Sequence, residues 1–122
     1  MQLSKAIIEG SDLTTLIDSF QKNLNAYNKV LFKSGKSFIL VFEGHYTMDI
    51  ADKLMVTMIF DFSSEGKCDV DIVSGGGEDR FLNVLWDPEQ TRNAKIVKTL
   101  RDICDGKKWK LSEVIKKWET FA

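Results

Sequence analysis

Residues 54–73 read LMVTMIFDFSSEGKCDVDIV, and their alternation decides the fold. Side chains alternate along an extended chain, so Leu54, Val56, Met58, Phe60 and Phe62 share one face, and Met55, Thr57, Ile59 and Asp61 share the other. After a connection at 63–67, Cys68, Val70 and Ile72 alternate with Asp69 and Asp71. Matching the apolar faces predicts an antiparallel pair with Phe62 opposite Cys68, Phe60 opposite Val70 and Met58 opposite Ile72. A slip of one residue would drive the aspartates into the core. The same register sets Asp61 opposite Asp69 on the outer face, a like-charge pair.

Toward the N-terminus the alternation continues. Phe38, Leu40 and Phe42 share a face in a strand over 36–43, and a strand over 30–33 precedes it across Ser34-Gly35, a two-residue hairpin signal that leaves the turn type open. Before these the period becomes helical. Leu13, Leu16, Ile17, Phe20, Leu24 and Tyr27 recur every three or four residues, which predicts an amphipathic helix of about four turns, with Ser11 as its N-cap and Asp12 in its first turn. Residues 2–9 read as a short strand ended by Gly10.

Toward the C-terminus, the run SGGGEDR from Ser74 to Arg80 resembles a phosphate loop at first sight. No GK[ST] follows, Glu78 and Asp79 repel an anion, and residues 80–86 read as a strand instead of a helix. A turn or bulge is the better reading, with glycine permitting left-handed angles or a close approach. Asp87 then offers an N-cap and Pro88 a first helical residue; Ile96, Val97, Leu100, Ile103 and Cys104 form the buried stripe, and Gly106 ends the helix. A last helix is expected from Leu111, with Leu111, Val114, Ile115 and Trp118 on one stripe. The expected fold is a single α+β domain over residues 1–122. It has an antiparallel sheet of about five strands, one helix in the N-terminal half and two C-terminal helices, in the order β-α-β-β-β-β-β-α-α.

At 122 residues, 43% hydrophobic and 29% charged, the chain is long enough to bury its own core without disulfides or metal. No apolar run approaches a membrane span, and MQLSKAIIEG lacks the features of a secretory signal, so a soluble cytoplasmic protein with no membrane association is expected. The net charge is −1, yet 9 of the 17 basic side chains and only 4 of the 18 acidic ones lie in 92–122. A basic tail lying across an acidic body is the expected consequence. Nucleic acid is disfavoured as a partner, although Lys107, Lys108, Trp109 and Lys110 interleave base and aromatic.

Chemistry-bearing residues are sparse. Cys68 and Cys104 both fall on apolar stripes and read as small buried hydrophobes. One histidine and two cysteines give no zinc spacing. The carboxylates of Asp61, Asp69, Asp71, Glu78 and Asp79 do not form a calcium loop, and lysines or arginines of the C-terminal helices are expected to neutralise them. No metal, cofactor or catalytic residue is assigned. His45 is the sole candidate for a proton shuttle, with Glu43, Tyr46, Asp49 and Asp52 close in sequence; a polar hairpin loop explains it as well.

The stretch EGHYTMDIADKLMVTMIFDFSSEGKCDVDIVSGGGEDRF, residues 43–81, resembles a small bacterial protein family of unknown function. Shared with it are an acidic residue and a tyrosine at a strand end, a long strand, a short connection, a second strand and then Ser-Gly-Gly. The resemblance implies a bacterial cytoplasmic α+β domain and no catalytic residue.

Function is read from the faces. Ile39, Val41, Met55, Ile59 and Val73 fall opposite the core stripe, and the C-terminal helix pair is expected to cover them. Otherwise Ile39, Val41, Met55 and Ile59, with Trp109, form an interface for a homodimer or protein partner. A non-catalytic binding domain is thus the leading expectation. The alternative is a small-molecule-binding domain or enzyme with a pocket near His45, Tyr46, Ser74, Gly75 and Gly76.

Overall fold

A computed structural model describes residues 2–24, 26–44, 54–75 and 88–115. Six strands, β1 (Gln2–Glu9), β2 (Ala26–Ser34), β3 (Ser37–Gly44), β4 (Leu54–Asp61), β5 (Lys67–Gly75) and β6 (Lys110–Ile115), form one sheet in the order β2-β3-β4-β5-β1-β6. Every pairing is antiparallel. Among the described residues two helices accompany the sheet: α1 (Leu16–Lys22), entered through a 3-10 turn at Leu13–Thr15, and α2 (Pro88–Lys107). The architecture is therefore α+β, as the grouping of strands implies.

The deciding stretch pairs as its pattern requires. Met58 faces Ile72, Phe60 faces Val70 and Asp61 faces Asp69. Leu40, Phe42, Val56, Met58, Phe60, Val70 and Ile72 are buried on the inner face together with Ala6 and Ile8 of β1. From α1, Phe20 lies 6.4 Å from the Phe42 ring and 6.2 Å from Phe60. Ile96, Val97, Leu100 and Cys104 of α2 close the same core. Both helices thus serve one face of the sheet.

Four elements depart from expectation. The segment from Leu111 is a strand, not a helix: β6 pairs with the otherwise free edge of β1, Leu111 against Ile8 and Val114 against Lys5. Leu111, Val114 and Ile115 satisfy helical spacing, but in six residues an open strand edge outweighs a weak periodicity. Among the described residues the sheet accordingly has six strands, and a strand stands where the second C-terminal helix was expected to begin.

Helix α2 ends at Lys107, past Gly106. Lys108 takes the left-handed conformation at φ 62° and the Trp109 N–H donates to the Cys104 carbonyl at 2.9 Å. This is a Schellman stop with lysine where glycine is usual.

The first helix is shorter than its apolar stripe suggests. Asp12 sits at φ 57° ahead of a 3-10 turn, Ser11 is not the cap, and Asn23 closes α1 by donating from its side chain to the Ser19 carbonyl at 2.8 Å. Tyr27 belongs to β2.

The first hairpin loop is Gly35-Lys36, with Ser34 paired to Ser37. Gly35 has φ 60° while Lys36 does not have a positive φ, the pattern of a type II′ turn with glycine first.

Candidate binding surface

One buried polar network fixes α2 on the inner face. Asn93 accepts a hydrogen bond from the Ser74 hydroxyl, and its amide donates to Ser4 Oγ at 3.1 Å and to the Ile72 carbonyl at 3.4 Å. All three side chains are buried, so these bonds satisfy groups that water cannot reach. Asn93 lies three and four residues before Ile96 and Val97, hence on the apolar stripe. That polar intrusion was visible in the sequence and is its only signal.

At the far end of α2, Trp109 is 8% exposed, and its indole N–H donates to the Ser11 carbonyl at 2.7 Å. The ring lies against Gly10 so closely that any Cβ there would collide with it. Trp109, expected on the outer surface, thus belongs to the core and clamps the start of β6 to the end of β1.

The outer face is different in kind. Register places Phe32, Ile39 and Ile59 in one row and Val30, Val41, Thr57, Val73 and Leu3 in the next, with Met55 beyond. Ile39, Val41, Ile59 and Val73 are half-buried, whereas Val30, Phe32 and Met55 are 50%, 54% and 52% exposed. Helix α2 packs on the opposite face, so the expected C-terminal helix cover is absent among the described residues. Val30 and Phe32 join the interface candidates. Their alternation with Lys29, Leu31 and Lys33 was the available sequence signal.

Beside this apolar block lies a charged band. Lys5 approaches Asp71 and Lys67 approaches Asp69, each at 3.9 Å. Lys5 of the neighbouring strand β1 and Lys67 of β5 itself, not the C-terminal helices, supply these cations. Asp61 accepts hydrogen bonds from the Ser63 hydroxyl and from the Ser63 backbone N–H, the latter at 2.9 Å, which hold its carboxyl below the usual range. Among the described residues no group of three or more His, Cys, Asp or Glu side chains is arranged for a metal.

The described thiols are poor nucleophiles. Burial pushes Cys68 up to about 12 and Cys104 up to about 11, with nearby Asp69 and Asp105 adding to the effect. Of the alternative pocket, His45, Tyr46 and Gly76 lie outside the described residues, as do the strand expected at 80–86 and the Asp87 cap. Gly75 ends β5, and Ser74 is turned into the core toward Asn93.

A groove of about 340 Å³ runs between α1 and the β2–β3 hairpin on the inner side. Ile17, Leu31, Phe38 and Phe62 line it, with Asp18, Lys33 and Lys36 at its rim. Leu31 remains 42% exposed there.

No family model, curated protein or solved structure matches the chain. The resemblance over residues 43–81 therefore rests on its pattern alone. No described helix is long and apolar enough to cross a membrane.

Proposed function

We propose that the protein is a non-catalytic binding domain that associates with a second copy of itself through the outer face of its sheet. The observation that carries this reading is the contiguous block of Val30, Phe32, Ile39, Val41, Met55 and Ile59, three of them at least half exposed, with no described element packed on it. Scattered apolar residues need no explanation, but a contiguous patch does. The three strands that carry the block, about 4.8 Å apart and about eight residues long, present roughly 380 Å² of sheet, the apolar centre of a face whose polar flanks on β5 and β1 extend it toward the ~800 Å² each partner contributes to a standard interface. Two such faces pack as layers of a sandwich, with Lys5, Asp69 and Asp71 at the polar rim.

Both buried cysteines suit a reducing compartment, in keeping with a cytoplasmic location. Light scattering coupled to size exclusion tests association: a dimer at micromolar concentration that dissociates in an Ile59→Asp variant is expected. A strict monomer at high micromolar concentration overturns the proposal.

A further inference from the structure

The two ends of the sheet are not equally guarded. At one end β6 is short, carries Lys110 and Glu113, and has Arg101 of α2 donating to Glu113 at 3.3 Å. At the other, β2 runs regularly from Asn28 to Ser34 with no proline and no further register break, and among the described residues no strand lies beside its outer backbone edge. Such an edge is a template for another chain.

From β2 and the groove beside it, we infer a docking site for an extended segment of another protein, which adds to the sheet as a seventh strand. Main-chain hydrogen bonds to an edge strand give affinity, and pockets for alternate side chains give selectivity. On the inner side the added strand meets Lys29, Leu31 and Lys33 in succession, with the apolar groove of Ile17, Phe38 and Phe62 behind Leu31. On the outer side it meets Val30 and Phe32.

Charge selects the occupant. Lys29, Lys33 and Lys36 form no ion pair with a described residue, and Lys33 Nζ stands 5.7 Å above the Phe38 ring. Among the described residues Asp18 is the only carboxylate lining the groove. Lys33 and Lys36 against Asp18 in the groove, with Lys29 farther along the same face of β2, favour an acidic ligand strand. A second copy of β2 fits poorly, because pairing centred on Leu31 sets Lys29 opposite Lys33 on the same face. The complementary sequence is an acidic residue, three apolar residues and a second acidic residue, the middle one entering the groove.

Selection of a phage-displayed random dodecapeptide library on the full chain tests this. Enrichment of the acidic, triple apolar, acidic pattern is expected. A fluorescein-labelled peptide from that pool should bind the Lys29→Glu/Lys33→Glu variant at least about tenfold more weakly, a difference of about 1.4 kcal/mol. In wild-type protein the same peptide should shift the backbone amide resonances of β2. No enrichment, enrichment without acidic residues, undiminished binding to a variant of unchanged melting temperature, or resonance shifts lying away from β2 overturns the inference. Self-association is read on the other face and by a different measurement, so either proposal fails without the other.

Discussion

The two faces of this sheet are made from the same strands and much the same residue types, yet one is fixed by its neighbours and the other is not. The inner side chains Leu40, Phe42, Val56, Met58, Phe60, Val70 and Ile72 all belong to one buried core with the helices. On the outer face Ile39 lies between Phe32 and Ile59 and Thr57 between Val41 and Val73, with no described helix packed over them. The contrast teaches where stability resides. Inner-face changes should act on folding, and outer-face changes on association.

The largest effect is expected at the Trp109 clamp. Trp109→Ala removes a buried indole, its bond to Ser11 and the ring that occupies the space over Gly10, and should cost about 3–5 kcal/mol in a urea titration. Next comes the Asn93 network. Asn93→Leu strands the Ser4 and Ser74 hydroxyls and should cost about 1–3 kcal/mol, most of it recovered when both serines are also replaced by alanine, since removing every partner is nearly neutral. A triple variant that restores nothing would show that the network does not act as a unit.

The inner face also predicts an alkaline limit. The thiols of Cys68 and Cys104 are held protonated by burial, with values near 12 and 11 against an unfolded value near 9. Above the unfolded value the unfolded chain loses these protons while the folded chain keeps them. Stability is therefore complete below about pH 9 and falls as pH rises toward the folded values, by up to about 1.4 kcal/mol per pH unit per thiol. Cys68→Ala should flatten that slope in denaturation measured between pH 8 and 11, although it lowers stability at neutral pH.

Legibility in the sequence follows the same division. Strands β4 and β5 were readable to the register because misplacing Asp69 or Asp71 by one residue would bury a charge. The inner stripe of α2 was readable for a similar reason, and Pro88 does start that helix. Strand β6 was not readable: whether Lys110–Ile115 coils or extends is decided by the unfilled edge of β1, more than a hundred positions away. The stop at Lys108 was equally hidden, since the left-handed lysine accompanies the docking of Trp109 on Ser11, 98 positions away, and on Gly10. Of the candidate surface, Ile39, Val41, Met55 and Ile59 followed from alternation, but Trp109 did not, because an aromatic at a helix end gives no sign of which face it will meet.

The smallest effect on folding is expected from the residue that matters most to the outer face. Phe32 is 54% exposed on an edge strand, so Phe32→Ser removes a ring that is already largely in water. Away from special backbone or core features, such surface changes stay within about 0.5 kcal/mol. Association behaves otherwise. In a face-to-face pair Phe32 packs against the facing sheet and leaves water, and truncating an aromatic buried in an interface often costs about 1 kcal/mol or more. Equilibrium sedimentation should therefore show a weakened dimer in a variant whose melting temperature, measured at a concentration where wild type is monomeric, is unchanged. Equal losses of both would place Phe32 in the fold and erase the distinction between the two faces at this edge.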